Sequence, residues 1–297
     1  MESKEKKITV RDVAKEAGVS VATVSYILNN RPDQKISAAT KKKVLQIANL
    51  LNYKPNHAAK SLAEGRNNII GITYRLNPKT PARNLEVTTL ANRLIPQLAR
   101  RNYDVLFLQI PDVAEDASVS RNVDAILAID LAHDDFRALA DSYLVPIIGI
   151  DMVINDNLFY QVYTDYPALV RDVIATLTTE DYYVLTDRFS NELYLGLLQD
   201  TIPKEKLIFY DNIDRLIINQ NKQSKVIILG SYLALLAQEF IASDNMIVIT
   251  SEEESVLLPE GITIIYSNAD KKTNLSINLL LNAMDRKFEV AHEFKVK

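Results

Sequence analysis

From residue 69 to residue 297, short apolar runs alternate with segments whose apolar residues have helical spacing. The runs predict nine strands, at Ile69–Tyr74, Tyr103–Gln109, Ala125–Ile129, Pro146–Asp151, Tyr182–Thr186, Lys206–Tyr210, Val226–Leu229, Met246–Thr250 and Thr263–Tyr266. The segments between them predict helices near Leu85–Arg101, Asp135–Ser142, Tyr166–Thr178, Asn191–Gln199, Tyr232–Ala242 and Lys271–Asp285. Nearly continuous apolar strands that alternate with helices are typical of parallel α/β sheets. This many strands fit two doubly wound lobes better than one, so we expect a two-lobed α/β body.

The start of the chain has a different, all-helical pattern. Thr9 can cap a helix at Val10–Ala17, because threonine accepts hydrogen bonds from the first turn. Gly18 then supplies a turn residue that tolerates a positive φ. Ser20 can cap a second helix at Val21–Asn29. A helix, a turn with glycine and a short second helix form the helix-turn-helix pattern; an ordinary helical hairpin is the alternative.

A third helix and a short fourth segment follow. Ser37 can cap a helix that runs to about Leu51, and Lys41–Lys43 lie in its first turns. Positive charge near a helix N-terminus opposes the helix dipole. The placement of these lysines therefore indicates nearby phosphates; a solvated lysine face is the other interpretation. The segment His57–Ala63 is too short for a stable isolated helix, so we expect it to order only against a partner. Its one large apolar residue, Leu62, contacts that partner or is a linker residue.

The charge of the chain divides in the same place. Residues 1–66 contain 13 Lys or Arg and 6 Asp or Glu, a formal charge of +7, and residues 67–297 carry −11. A basic head on an acidic body predicts a polyanionic partner for the head alone. We therefore predict a DNA-binding headpiece at 1–55, a short helix and linker at 56–68, and a body at 69–297.

Several classes of chemistry have no support in the sequence. The chain has no cysteine, which excludes disulfides and thiolate metal sites. Its seven glycines form no phosphate-binding loop, its three histidines are far apart, and no G-x-S-x-G motif is present. We predict no enzyme activity, no cofactor and no metal. The N-terminus lacks a secretory signal pattern and no apolar run is long enough for a membrane span, so we expect a cytoplasmic protein.

The headpiece residues carry a family resemblance. The segments ITVRDVAKEAGVSVATVSYILNN at 8–30, IS..T..KVL at 36–45, NYKPNHAAKSLA at 52–63 and IIGI at 69–72 resemble the lactose-repressor (LacI/GalR) family of bacterial transcription regulators. The resemblance is specific over the first sixty-odd residues, although the loop at 30–35 is slightly longer than in many members. It implies a homodimer on a double-stranded DNA operator, and a periplasmic-binding-protein-like body with an effector cleft between its lobes.

The resemblance also implies roles for individual residues. The positions that face base edges in the major groove are Val21, Ala22 and Tyr26, and Leu62 matches the hinge leucine that enters the minor groove. The positions that hold phosphates are Ser20, Thr23, Ser25, Asn29, Ser37, Thr40, Tyr53 and Asn56. Because the valine and alanine side chains cannot hydrogen-bond to bases, we expect specificity to depend on few direct bonds, the hinge and DNA shape.

In the body, the landmarks of the family are only partly present. Asn84, Asp151 and Asp165 fall at or beside cleft positions, with helix capping or strand-end exposure as the equal alternative. Leu193 stands where many relatives carry an arginine that clamps the ligand, and Gly230–Tyr232 replaces a usual Asn-Asp pair. The effector therefore stays open: a sugar or sugar derivative, another small molecule, a protein partner or none. A ligand-binding module without DNA function is the other hypothesis.

Overall fold

The computed structural model describes residues 8–28, 35–53, 66–110, 122–213, 224–287 and 290–297. The chain forms two compact units, residues 1–67 and residues 68–297. The first unit contains the predicted headpiece and the second contains the predicted body.

The headpiece contains three helices in its described residues: α1 (Val10–Ala17), α2 (Val21–Leu28) and α3 (Ala38–Leu50). The predicted capping of α1 is confirmed, since the Thr9 side chain accepts from the Asp12 amide and the Asp12 side chain accepts from the Thr9 amide. Gly18 ends α1 with a φ of 64°, as the turn requires. The inner faces share one core, formed by Val13, Ala14, Ala17, Val24, Ile27, Val44 and Ala48.

The body is built from parallel strands and helices. The strands are β1 (Ile69–Thr73), β2 (Asp104–Phe107), β3 (Ala125–Ile129), β4 (Ile147–Ile150), β5 (Tyr160–Thr164), β6 (Tyr182–Thr186), β7 (Leu207–Phe209), β8 (Lys225–Leu229), β9 (Met246–Thr250), β10 (Thr263–Tyr266) and β11 (Glu293–Val296). The helices are α4 (Pro81–Ala99), α5 (His133–Ser142), α6 (Tyr166–Thr176), α7 (Glu192–Thr201), α8 (Ser231–Ala237), α9 (Glu252–Ser255) and α10 (Ala269–Met284), with 3-10 turns at Tyr210–Asn212 and Ser243–Asn245.

Two parallel sheets define two lobes. The sheet of lobe 1 has the order β11-β5-β4-β3-β1-β2, and the sheet of lobe 2 has the order β10-β9-β8-β6-β7. Helices α4 and α10 pack into the core of lobe 1, where Leu94 and Ile277 are fully buried beside Ile72. Lobe 2 has its own cores, around Val184 and Ile228. The predicted fold class, an all-α headpiece with a two-lobed parallel α/β body, is confirmed.

Two strands of lobe 1 are absent from the sequence prediction. β5 has the sequence YQVYT, whose polar residues mask the apolar run, yet all five residues are buried. β11 is a four-residue strand, EFKV, that pairs with β5 at the sheet edge. The chain thus returns to lobe 1 through α10 and closes its sheet with β11.

Candidate nucleic-acid interface and interlobe cleft

Helix α2 exposes apolar side chains on the face that turns away from the headpiece core. Val24 and Ile27 are buried, whereas Val21 is 44% exposed and Tyr26 is 37% exposed. Ala22 is exposed on the same side. Ala22 and Tyr26 are about one helical turn apart and Val21 precedes Ala22, so the three predicted base-contacting residues lie on the exposed side of α2.

Polar residues predicted to hold phosphates lie at the starts of α2 and α3. The Ser20 hydroxyl accepts from the Thr23 amide at 3.0 Å, and the Ser37 hydroxyl accepts from the Thr40 amide at 3.1 Å. Both serines are exposed. Amide groups and dipoles at helix N-termini favour anions, so each start can face a phosphate.

The remaining predicted DNA contacts are placed differently or lie outside the described residues. Ser25 is half-buried on α2. Tyr53 packs against the headpiece core, and burial raises the pKa of its hydroxyl. Asn29, Asn56 and Leu62 lie outside the described residues, as does the predicted helix at 57–63.

In the body, residues that follow strands of both sheets converge on one cleft between the lobes. Asp130 and Asp151 follow β3 and β4 and have positive φ values of 47° and 50°. Gly230 follows β8 with a φ of 100°. Ligand sites of parallel α/β folds lie at the carboxyl ends of strands, and unusual backbone conformations concentrate at such sites.

Arg83, in the first turn of α4, is the central cation of the cleft. Its side chain is 3% exposed, and it bonds to Asp130 Oδ2 through Nε at 2.8 Å and to Glu86 Oε2 through Nη1 at 3.0 Å. Its guanidinium lies 4.6 Å from the ring centroid of Phe189 in lobe 2. Nη2 is buried without a hydrogen-bond partner among the described residues.

A second buried ion pair holds the floor of the cleft. Lys272 of α10 donates to both carboxylate oxygens of Asp151, at 2.8 and 2.7 Å, and to the Thr164 hydroxyl at 2.9 Å. Burial alone would raise the pKa of Asp151, but Lys272 and Arg83 outweigh burial and the pKa lies below its usual value. A buried ion pair with this many hydrogen bonds keeps both charges compensated.

The pKa of Glu86 is shifted in the opposite direction from that of Asp151. Burial raises its pKa from 4.5 to about 8, against the attraction of Arg83, and the charge of Glu254 adds to the rise. Its carboxyl group packs on the backbone of Gly230, where a β-carbon would lie 1.7 Å from Oε1. Glycine at this position therefore admits a side chain of lobe 1 into the surface of lobe 2.

The space left in the cleft is small. Its cavity measures about 40 Å³ and is lined by Arg83, Glu86, Thr89, Leu90, Arg93, Asp151, Thr164, Tyr166, Gly230, Thr250, Ser251, Glu254, Ser267, Ala269 and Lys272. This volume accommodates a few water molecules and is far below the roughly 300 Å³ of a usual ligand pocket. Around Arg83, Glu86 and Lys272, the side chains of the protein itself fill the cleft.

Only one of the three predicted cleft residues lines this cavity. Asp151 does so, paired with Lys272. The side-chain amide of Asn84 instead accepts from the Asn77 backbone amide at 2.9 Å and donates to its carbonyl at 2.8 Å, closing the loop before α4. Asp165 caps α6, accepting from the Ala168 amide at 3.1 Å.

The sequence interpretation missed the main charged residues of the cleft. Asp130 directly follows a correctly predicted strand, and this position is a usable signal for a site residue. The pairing of Arg83 with Asp130 and of Lys272 with Asp151 gave no local signal, since the partners lie 47 and 121 residues apart in sequence.

Two further findings concern metal binding and membrane crossing. Among the described residues, no three His, Cys, Asp or Glu side chains are grouped so that they could hold a metal ion. No helix in the described part of the chain has the length and apolar character needed to cross a membrane.

Known proteins resemble both units. Residues 9–56 match the family model "Bacterial regulatory proteins, lacI family". The fructose operon regulatory protein of Vibrio cholerae is 29% identical over 189 residues, which cover 59% of this chain and 55% of that protein. The sucrose operon repressor of Klebsiella pneumoniae is 28% identical over 180 residues, 60% of this chain and 54% of the relative. The chain thus spans about half the length of the curated relatives it matches.

The fold has a counterpart over nearly the whole chain. A crystal structure of the lac repressor dimer, bound to operator and the anti-inducer ONPF, matches 98% of this chain and 97% of that chain, with a TM-score of 0.60 and 18% identity. This likeness concerns the fold, and the headpiece match concerns the sequence. Together they confirm the resemblance: the headpiece matches the LacI family of bacterial regulatory proteins, and the chain has the fold of the lac repressor.

Proposed function

We propose that this protein is a transcriptional repressor that binds a near-palindromic double-stranded DNA operator as a homodimer in the bacterial cytoplasm. The observation that carries the proposal is the exposed face of α2, which presents Val21, Ala22 and Tyr26 beside two capped helix starts. This face belongs to a segment of charge +7. Two such headpieces related by two-fold symmetry read two half-sites. The match of the headpiece to a family of regulatory proteins agrees with the interpretation that the chain is not an enzyme.

The contacts divide into two kinds. Val21 and Ala22 read thymine methyl groups or exclude bulk, and Tyr26 adds one hydroxyl. Phosphates are held by the polar set Ser20, Thr23, Ser25, Asn29, Ser37, Thr40, Tyr53 and Asn56. Leu62 enters the minor groove and bends the duplex.

The body controls the headpieces through its cleft. The names of the two relatives, a fructose operon regulator and a sucrose operon repressor, support a sugar or sugar derivative as the effector class. A second candidate, control by a protein partner, is favoured by the cavity of only about 40 Å³.

Selection of bound DNA tests the proposal. Genomic fragments retained by the purified protein are sequenced, and we expect enrichment of one near-palindromic motif. The matched control is Ala22→Glu, which places a negative charge on the exposed face of α2 without touching the headpiece core. Recovery of the same fragments by this variant, or of unpatterned DNA by the wild type, would contradict the proposal.

A further inference from the structure

A stripe of residues along α4 joins lobe 1 to lobe 2. Ala82 is 1% exposed and packs in the core of lobe 2, and the Arg83 amide donates to Asp187 Oδ2 at 3.1 Å. Thr89 Oγ1 lies 3.0 Å from the Tyr232 hydroxyl. Together with Glu86 and Arg93, the positions 82, 86, 89 and 93 recur every three or four residues, which is one face of a helix.

Two more residues complete this stripe. Glu86 packs on Gly230, and Arg93 pairs with Glu253 of lobe 2 at 2.8 Å. Arg93 also lines two wider grooves, of about 650 and 470 Å³, that adjoin the small cavity.

Asn191 of lobe 2 joins the lobes at a second place. Its amide donates to Asp130 Oδ1 at 3.2 Å, and its side-chain Nδ2 donates to the Leu131 carbonyl at 3.0 Å. Its Oδ1 accepts from the Val153 amide at 3.0 Å. Because one residue bonds to three groups of lobe 1, this arrangement exists only when the lobes are together.

The buried carboxylates at the strand ends of lobe 1 are already compensated within the chain. Asp130 is paired with Arg83, and Asp151 is paired with Lys272. Unpaired buried charges would be costly, and here the protein supplies the partners itself. These two acidic groups therefore need no ligand to balance them in the closed body.

We infer that the two lobes of the body close without a ligand. The contacts of the α4 stripe and Asn191 hold the lobes together, as a bound ligand does in proteins that close around one. A sugar-sized molecule then reaches the small cavity around Arg83 and Lys272 only when the lobes separate. Because such a ligand binds the open body better than the closed one, it shifts the population toward the open state. The claim that a ligand regulates the protein by opening the lobes rests on the proposed function.

Amide hydrogen exchange of the ligand-free full chain tests the inference. Three backbone amides donate across the lobes, those of Arg83, Val153 and Asn191. Two control amides donate within one lobe, those of Asp151 to Val162 in lobe 1 and Gly230 to Ile249 in lobe 2. We expect all five to exchange more than about 100-fold slower than unprotected amides, since protection follows the stability of the structure that covers them.

A difference in exchange between the two sets of amides would overturn the inference. Fast exchange of the three cross-lobe amides with slow exchange of the two controls would show open lobes in a folded body and overturn the inference. This readout involves the body alone, so failure to bind DNA, which would overturn the proposed function, leaves it intact.

A matched pair of variants tests the role of α4. Ala82→Glu places a charge where the helix enters the core of lobe 2, and we expect it to speed exchange of the three cross-lobe amides more than about tenfold while the controls stay slow. Ala99→Glu makes the same change at an exposed position near the other end of the helix and leaves all five unchanged. Unchanged cross-lobe protection in Ala82→Glu would contradict the role of the stripe.

Discussion

At the scale of single residues, the cleft shows how neighbours assign opposite protonation states to two carboxyl groups. The carboxylate of Asp151 is compensated by two donated bonds from Lys272, so its pKa is lowered despite burial. Glu86 shares its cation, Arg83, with Asp130, and burial dominates its pKa. Asp151 is thus ionised at neutral pH, whereas burial favours the protonated form of Glu86.

Glu86→Gln tests this assignment through the pH dependence of stability. Glu86 has a folded-state pKa of about 8 and an ordinary value of 4.5. Between these values the folded state binds more protons than the unfolded state, so Glu86 makes stability fall as pH rises. Glutamine has no such effect. From about pH 6.5 to 8, we expect the wild type to lose on the order of 2 kcal/mol relative to the variant in urea unfolding. A difference that stays constant over this range would contradict the raised pKa.

Gly230→Ala tests the packing of Glu86. The new β-carbon would meet Oε1 at 1.7 Å, and the backbone has a φ of 100°. Strain and overpacking should together cost about 2–4 kcal/mol of unfolding free energy. In Gly230→Ala combined with Glu86→Ala, the clash is gone and the strain stays, so the cycle should show a coupling of at least about 1 kcal/mol. Additive losses would show that the two residues do not meet.

At the scale of elements, local sequence signals were sufficient wherever an element carries its own boundary residues. The caps Thr9 and Ser37 and the turn at Gly18 located the headpiece helices to within about one residue. Strands with unbroken apolar runs were equally visible. β5 and β11 were missed because the pairing of a polar strand with a short edge strand is decided by tertiary contacts.

We predict that exposed lysines of helix α3 contribute to the salt dependence of DNA binding. Lys42 and Lys43 are exposed in its first turns. If they neutralise phosphates, changing both to Gln makes the negative slope of log K against log salt shallower, by up to about 0.9 for each phosphate that is no longer neutralised. The control changes two exposed lysines of the body, Lys204 and Lys271, to Gln, with the same change in net charge. An equal slope in both double variants would favour a solvated lysine face.

At the scale of the whole molecule, the charge division and the alternation of strands and helices were sufficient to predict the architecture, but not the content of the cleft. Asp151 was predicted at a cleft position, as a strand-end residue should be. Asp151 is paired with Lys272, and no local pattern indicates this ion pair because the two residues are 121 positions apart in sequence. Sequence patterns therefore indicated a site, whereas only the assembled lobes show that the protein fills it.

The central claim is that two headpieces read one near-palindromic operator. The direct measurement is the affinity of the protein for a selected operator and for the same DNA with one half-site scrambled, at one fixed salt concentration. Loss of half of the base contacts should weaken binding more than about 100-fold, since each mismatched base pair costs about 1–3 kcal/mol. Equal affinity for the two duplexes would contradict the account.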